Sequence, residues 1–203
     1  MNDLSQVNLE NMEISQERFE WGSGVICFLG PNLTLRNCTL ILGMAARDLI
    51  IPQARFIDCT FIFKKQLKNF RWDTAHLQEC QFKGRFIGND FGEWPSSPGQ
   101  GSIEDCDFSE ARLDMTRFLG CDVNTLRFPP WPCFTILEPA RRWRELQALH
   151  WPGKYGPIIG DGFAKDPPST MAITCSAPEL AKFCETTPEA IKALVETLDG
   201  VYY

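Results

Sequence analysis

No apolar run in the chain approaches the roughly 18 residues that a membrane-spanning helix needs, so membrane insertion through a helix is excluded. The opening stretch, MNDLSQVNLENMEISQERFE, has neither a basic n-region nor an apolar h-region, so no secretory signal is expected. Histidine is scarce, with only His76 and His150, and the nine cysteines contain no Cys-x-x-Cys pair. A zinc site of usual spacing is thereby excluded. Gly-x-Ser-x-Gly, HExxH and phosphate-loop motifs are missing, and Gly160-Asp-Gly162 is too short to stand for the last. Acid pairs such as Glu104-Asp105 fall where the chain faces water, without the desolvation that tunes a general acid or base. The expectation is a non-enzyme with no metal and no cofactor.

What is present is a period. From Gly101 to Pro130 the chain cuts into fives, GSIED-CDFSE-ARLDM-TRFLG-CDVNT-LRFPP. The third position is always apolar (Ile103, Phe108, Leu113, Phe118, Val123, Phe128), and the first is small in all but Leu126. A five-residue period suits neither a strand nor a helix. It suits a chain that turns a corner every five residues and winds a square coil. The template apolar-x-x-Cys-x-apolar recurs at Leu35–Leu40, Phe56–Phe61, Leu77–Phe82 and Ile103–Phe108; Cys38, Cys59 and Cys80 are 21 residues apart, and Cys106 follows after 26. Coils of that length stack as a solenoid in which each is stable only against its neighbours. The four cysteines should be buried, unbridged small hydrophobes in a reduced protein.

These blocks resemble those of the pentapeptide-repeat proteins over roughly residues 33–128. The resemblance implies a right-handed quadrilateral β-helix, here of about five coils, and no single activity. The expected class is mainly β, a right-handed parallel β-helix with an α-helical C-terminal extension. The expected divisions are an N-terminal cap (1–21), a β-helix (22–137) and a helical extension (138–203).

Residues 1–21 hold five acids against one base and should form a strand or short helix closing the first coil's edge. Residues 63–72, FKKQLKNFRW, mix bases with aromatics as nucleic-acid sites do; the alternative, preferred here, is bases outward and aromatics inward. Residues 88–101, GNDFGEWPSSPGQG, break the period as a loop pushed out between coils, with Phe91 and Trp94 reaching outward or folding back. Twelve acids balance twelve bases over residues 22–137, and the acids gather in the last coils. The coil ends at Phe128-Pro-Pro-Trp-Pro because proline cannot donate to another ladder. A helix is expected from Glu138 to His150, irregular chain to Thr170, then a capping box at Ser176 and Glu179. That box opens a helix to Glu185, and Thr187-Pro188 opens another ending at Gly200. This pair resembles a helix-turn-helix, with Glu185 in place of its turn glycine; Glu189, Lys192, Glu196 and Asp199 would repel DNA.

The functional expectation is a cytoplasmic protein-binding module, most simply an immunity-type inhibitor that neutralises a cognate toxin. The partner is a protein, with no nucleic acid and no membrane, and the oligomeric state is left open. Trp94 and Phe91 are the expected anchors, with Glu104, Asp107 and Glu110 steering on the same face. Two alternatives are weighed. A DNA-mimicking topoisomerase protector, taken from the resemblance, needs a strongly anionic rod, which the balanced charge opposes. A transcriptional regulator using the C-terminal helix pair is opposed by that pair's acidity.

Overall fold

The computed structural model describes residues 5–96 and 100–203. Its first two-thirds is a parallel β-solenoid that advances one layer per coil. The first coil holds β1 (Ser5–Leu9), β2 (Glu13–Ser15) and β3 (Arg18–Trp21). The second holds β4 (Val25–Leu29), β5 (Thr34–Arg36) and β6 (Thr39–Leu42). The third holds β7 (Leu49–Ile50), β8 (Arg55–Ile57), β9 (Thr60–Phe63) and β10 (Leu67–Lys68). Next come β11 (His76–Gln78), β12 (Gln81–Ile87) and β13 (Asp90–Gly92). The last coil contains β14 (Ser102–Glu104), β15 (Ala111–Asp114) and β16 (Thr116–Leu119). One parallel ladder, β14-β11-β8-β5-β2, stacks five strands. Five strands span four rises, so the solenoid makes about four turns. Residues 5–21 are a coil in their own right and not a separate closing element; residues 1–4, part of the expected cap, lie outside the described residues.

The corners explain why the strands are short. Gln16, Asn37, Asp58, Glu79 and Asp105 all adopt left-handed backbone, φ between 50° and 59°, at the same corner of successive coils. At another corner, β12 bends in mid-strand at Gly84 (φ 125°), where a Cβ would come within 2.7 Å of the Phe63 carbonyl oxygen. A side chain there is excluded by both the backbone and its neighbour.

One residue after the Asn37-type corner stands the cysteine ladder. Cys38, Cys59, Cys80 and Cys106 are buried and free. Each thiol donates to the carbonyl two residues back, at 3.3–3.4 Å. The position thus calls for a short side chain carrying a donor. Asn89 and Thr116 meet the same need elsewhere, bonding the carbonyls of Ile87 (3.0 Å) and Asp114 (3.3 Å).

Between the ladders runs a zigzag of rings. Phe61, Phe82 and Phe108 stack at 5.0 and 4.7 Å on one side, and Trp72, Phe91 and Phe118 stack at 5.3 and 5.6 Å on the other. The two columns meet edge-to-face across the interior, from Phe61–Trp72 through to Phe118–Phe128. Aromatic pairs prefer these offset and perpendicular geometries. Phe63, Phe70 and Trp72 of the basic stretch are buried while Lys64, Lys65, Lys68 and Arg71 are exposed, which is the inward-aromatic arrangement.

After Pro130 the chain builds a second unit with its own core. It contains β17 (Cys133–Leu137), α1 (Trp143–Ala148), α2 (Gly156–Phe163), β18 (Thr170–Ser176), α3 (Ala177–Cys184), α4 (Pro188–Val195) and β19 (Val201–Tyr202). The extension is therefore not helical throughout. Strand β18 pairs antiparallel with both β16 and β17, and so joins the solenoid's sheet to the new unit. The helix expected from Glu138 begins only at Trp143, because Glu138 sits at φ 49° and the chain turns before it can coil. Helix α2 replaces the irregular chain expected there. Its Gly160 lets α1 approach so closely that a Cβ would lie 2.8 Å from Gln147 Cα. Ser176 makes no side-chain cap bond and Glu179 instead pairs with Arg85 at 2.5 Å, whereas Thr187 does cap the amide of Ala190. Glu185 takes the left-handed conformation (φ 56°) that a turn glycine would have taken.

Candidate functional site

The five residues expected to share one face are dispersed. Phe91 lies on β13 with no exposed surface, inside the ring zigzag, and is unavailable as a contact. Its burial had a sequence signal. Asn89-Asp90-Phe91 repeats the donor-x-Phe block of Cys106-Asp107-Phe108 and Thr116-Arg117-Phe118. The chain leaves the solenoid only after Gly92, and residues 97–99 of the expected loop lie outside the described residues.

Trp94 has folded back and is half-buried. Its ring lies under the guanidinium of Arg71 at 4.2 Å and near that of Arg117 at 5.5 Å. Arg117 holds Asp90 through two bonds of 2.7 and 3.1 Å and reaches Asp166 beyond α2 at 3.1 Å. Burial raises the Asp166 carboxyl above the ordinary carboxylate range despite that arginine. The cluster ties the Trp94 segment, the solenoid and the C-terminal unit together. Such a buried charge network is costly to break from one side.

The three acids stand on different stretches of the last coil. Glu104 ends β14, Asp107 bridges to β12 and to Arg127 on the next side, and Glu110 follows at the corner before β15. Glu110 is paired with Lys83 at 2.6 Å, and Asp107 lies 4.0 Å from Arg127. Of the three, Glu104 alone has no ion-pair partner among the described residues.

No family model and no curated protein matches the chain. The chemistry is read from the surface itself.

That surface has one conspicuous feature, which lies in the C-terminal unit. Met115, Ile158 and Phe183 are 49, 53 and 50% exposed and rim one groove of about 250 Å³ between α2, α3 and the corner before β16. Its floor is made by Phe134, Phe163, Ile173 and Cys175, all buried. Helix α2 is held by Trp151, which packs near Phe163 at 5.9 Å and donates its indole N–H to the Leu146 carbonyl at 2.8 Å. Asp166, already held by Arg117, closes one end. Sequence reasoning missed this site because its rim comes from three segments more than 20 residues apart.

The remaining reactive groups are quiet in this arrangement. Burial pushes the Cys27 and Cys121 thiols up to about 12. Cys59 is raised by the neighbouring thiol of Cys80, and Cys80 by that of Cys106, with burial adding to both. Among the described residues no His, Cys, Asp or Glu side chains group as metal ligands would. No described helix is long and apolar enough to cross a membrane.

Proposed function

We propose that this chain is a non-enzymatic protein-binding module of the immunity-protein kind, which neutralises a cognate toxin by holding it in the groove of the C-terminal unit. The single observation that carries the reading is the rim of Met115, Ile158 and Phe183 around an apolar floor. Large apolar side chains left half-exposed together mark a contact surface, and a concave apolar site accepts an anchor side chain. The net charge of −6 favours a cationic partner, whose approach it would accelerate. In this reading the anchoring role falls to the groove and not to Trp94, whose ring is engaged by Arg71 and Arg117. We further propose that the solenoid is of the pentapeptide-repeat type, as its five-residue blocks and left-handed corners support.

The test is co-expression with the product of the adjacent gene. The chain relieves growth arrest, whereas Ile158→Asp/Phe183→Asp, folded by circular dichroism, does not. Titration of the purified pair should show binding weakened at least about tenfold by the double change. Unaltered affinity in the folded variant would falsify the groove assignment, and an adjacent product that neither arrests growth nor binds removes the toxin reading.

A further inference from the structure

Among the described residues the solenoid's first coil leaves an unpartnered end. Strands β1, β2 and β3 each stand at the edge of their parallel sheets, so alternate backbone N–H and C=O groups face away from the second coil. Edge strands are ordinarily blunted by proline, lysine or a bulge; residues 5–21 contain neither proline nor lysine. The interior is open there too. Val7, Leu9, Ile14, Phe19 and Trp21 pack against the core yet are only partly buried, and Phe19 and Trp21 stack at 5.0 Å on the bare surface. Among the described residues nothing lies over them.

We propose that this end binds a second copy of the chain, head to head, about a two-fold axis that pairs β3 antiparallel with its symmetry mate. The charges of β3 select that occupant. Its sequence is Arg18-Phe19-Glu20-Trp21, with Arg18 and Glu20 exposed and Phe19 and Trp21 turned inward. Antiparallel pairing centred on Phe19 sets each Arg18 opposite the other copy's Glu20 on the outside, and the two Phe19 rings against each other within. Directly opposed residues on paired strands are close enough for both contacts. The pattern is thus complementary to itself, as an isologous interface requires. On another side of the coil, β1 reads Ser-Gln-Val-Asn-Leu and carries no charge to oppose its own mate. Glu13 of β2 is matched by Arg36 at 2.5 Å, and Glu20 is also reached by Lys64, which offsets negative charge on the approaching ends.

Sedimentation equilibrium of the full chain tests this, with circular dichroism to confirm folding. The expected result is a reversible dimer that Arg18→Glu weakens at least about tenfold, because two symmetry-related contacts change sign together. Arg18→Glu/Glu20→Arg restores complementarity across the axis and should return the affinity to within about threefold of the starting value. The Arg18→Glu deficit should shrink in high salt. A chain that stays monomeric to about 100 μM overturns the proposal. So does a dimer indifferent to Arg18→Glu, or a double swap as weak as the single one.

Discussion

Replacing Phe91 by alanine removes a ring from the centre of the solenoid, in a segment whose composition suggests a surface loop. The side chain has no exposed area. It stacks on Trp72 at 5.3 Å and Phe118 at 5.6 Å, and meets Phe82 and Phe108 edge-on at 5.3 and 5.0 Å. A buried Phe→Ala change costs about 3–5 kcal/mol in transfer and cavity terms. These four ring contacts and a fifth, edge-on to Phe86 at 6.3 Å, at about 0.5–1.5 kcal/mol each and partly counted already in burial, place this site at about 4–5 kcal/mol. For a chain of this size that lowers the melting temperature by roughly 8–20 °C. Phe91→Leu, which keeps most of the volume but none of the ring contacts, should cost clearly less than Phe91→Ala. Urea unfolding followed by tryptophan fluorescence and far-ultraviolet dichroism reads both variants. A loss under about 1 kcal/mol for Phe91→Ala, with an unchanged denaturant slope, would place the ring outside the core and refute the zigzag.

Other measurements reach the rest of the molecule. Arg117→Met takes from Asp166 its arginine and leaves Asp90 with Arg71 alone at 4.0 Å, and should cost about 3–5 kcal/mol; adding Asp166→Asn should recover part of it, and a melt within about 1 kcal/mol of the parent counts against this network. Burial, with Arg55 adding to it, holds the His76 pKa below its ordinary 6.5. The unfolded chain therefore takes up that proton first, so stability falls as pH drops from 7 to 5. His76→Gln should flatten that profile, and parallel profiles would contradict the reading. With its ladder thiols buried, the folded protein should label with maleimide no faster than slowly at the half-buried Cys121, whereas urea should expose all nine cysteines. Rapid native labelling at Cys59 or Cys80 would break the register.

The parts of the fold that repeat were legible because repetition ties a residue's chemistry to its place. Cys38, Cys59, Cys80 and Cys106 could be stacked from spacing alone, and burial without disulfides follows from the ladder they occupy. The same grammar also extended through Asn89-Asp90-Phe91, but Gly88 and Gly92 on either side read as loop. Gly92 is in fact tolerated in the wall because its φ of 90° admits Leu119 O at what would be 2.2 Å from a Cβ. Beyond Pro130 no period remains to tie a residue to its place. Cys133–Leu137 and Thr170–Ser176 are strands because they pair with each other across 35 to 43 residues and with β19 and β16 on their other edges. Gly160 of helix α2 serves its close contact with α1, a cause that no local propensity records. The groove depends on where α2 and α3 come to rest against β16, and so on all of these at once.

A stack of identical coils has two ends, and if both were bare each molecule would be a template for the next, with fibres as the outcome. Strand β18 forecloses that at one end by running against the direction of β16. The C-terminal unit then lays Leu137, Ala172 and the Phe128–Tyr202 ring contact across the last coil. A rod with one finished end and one unfinished end has a fixed arithmetic. Joined through its unfinished end it makes a pair with two finished ends, and growth stops there.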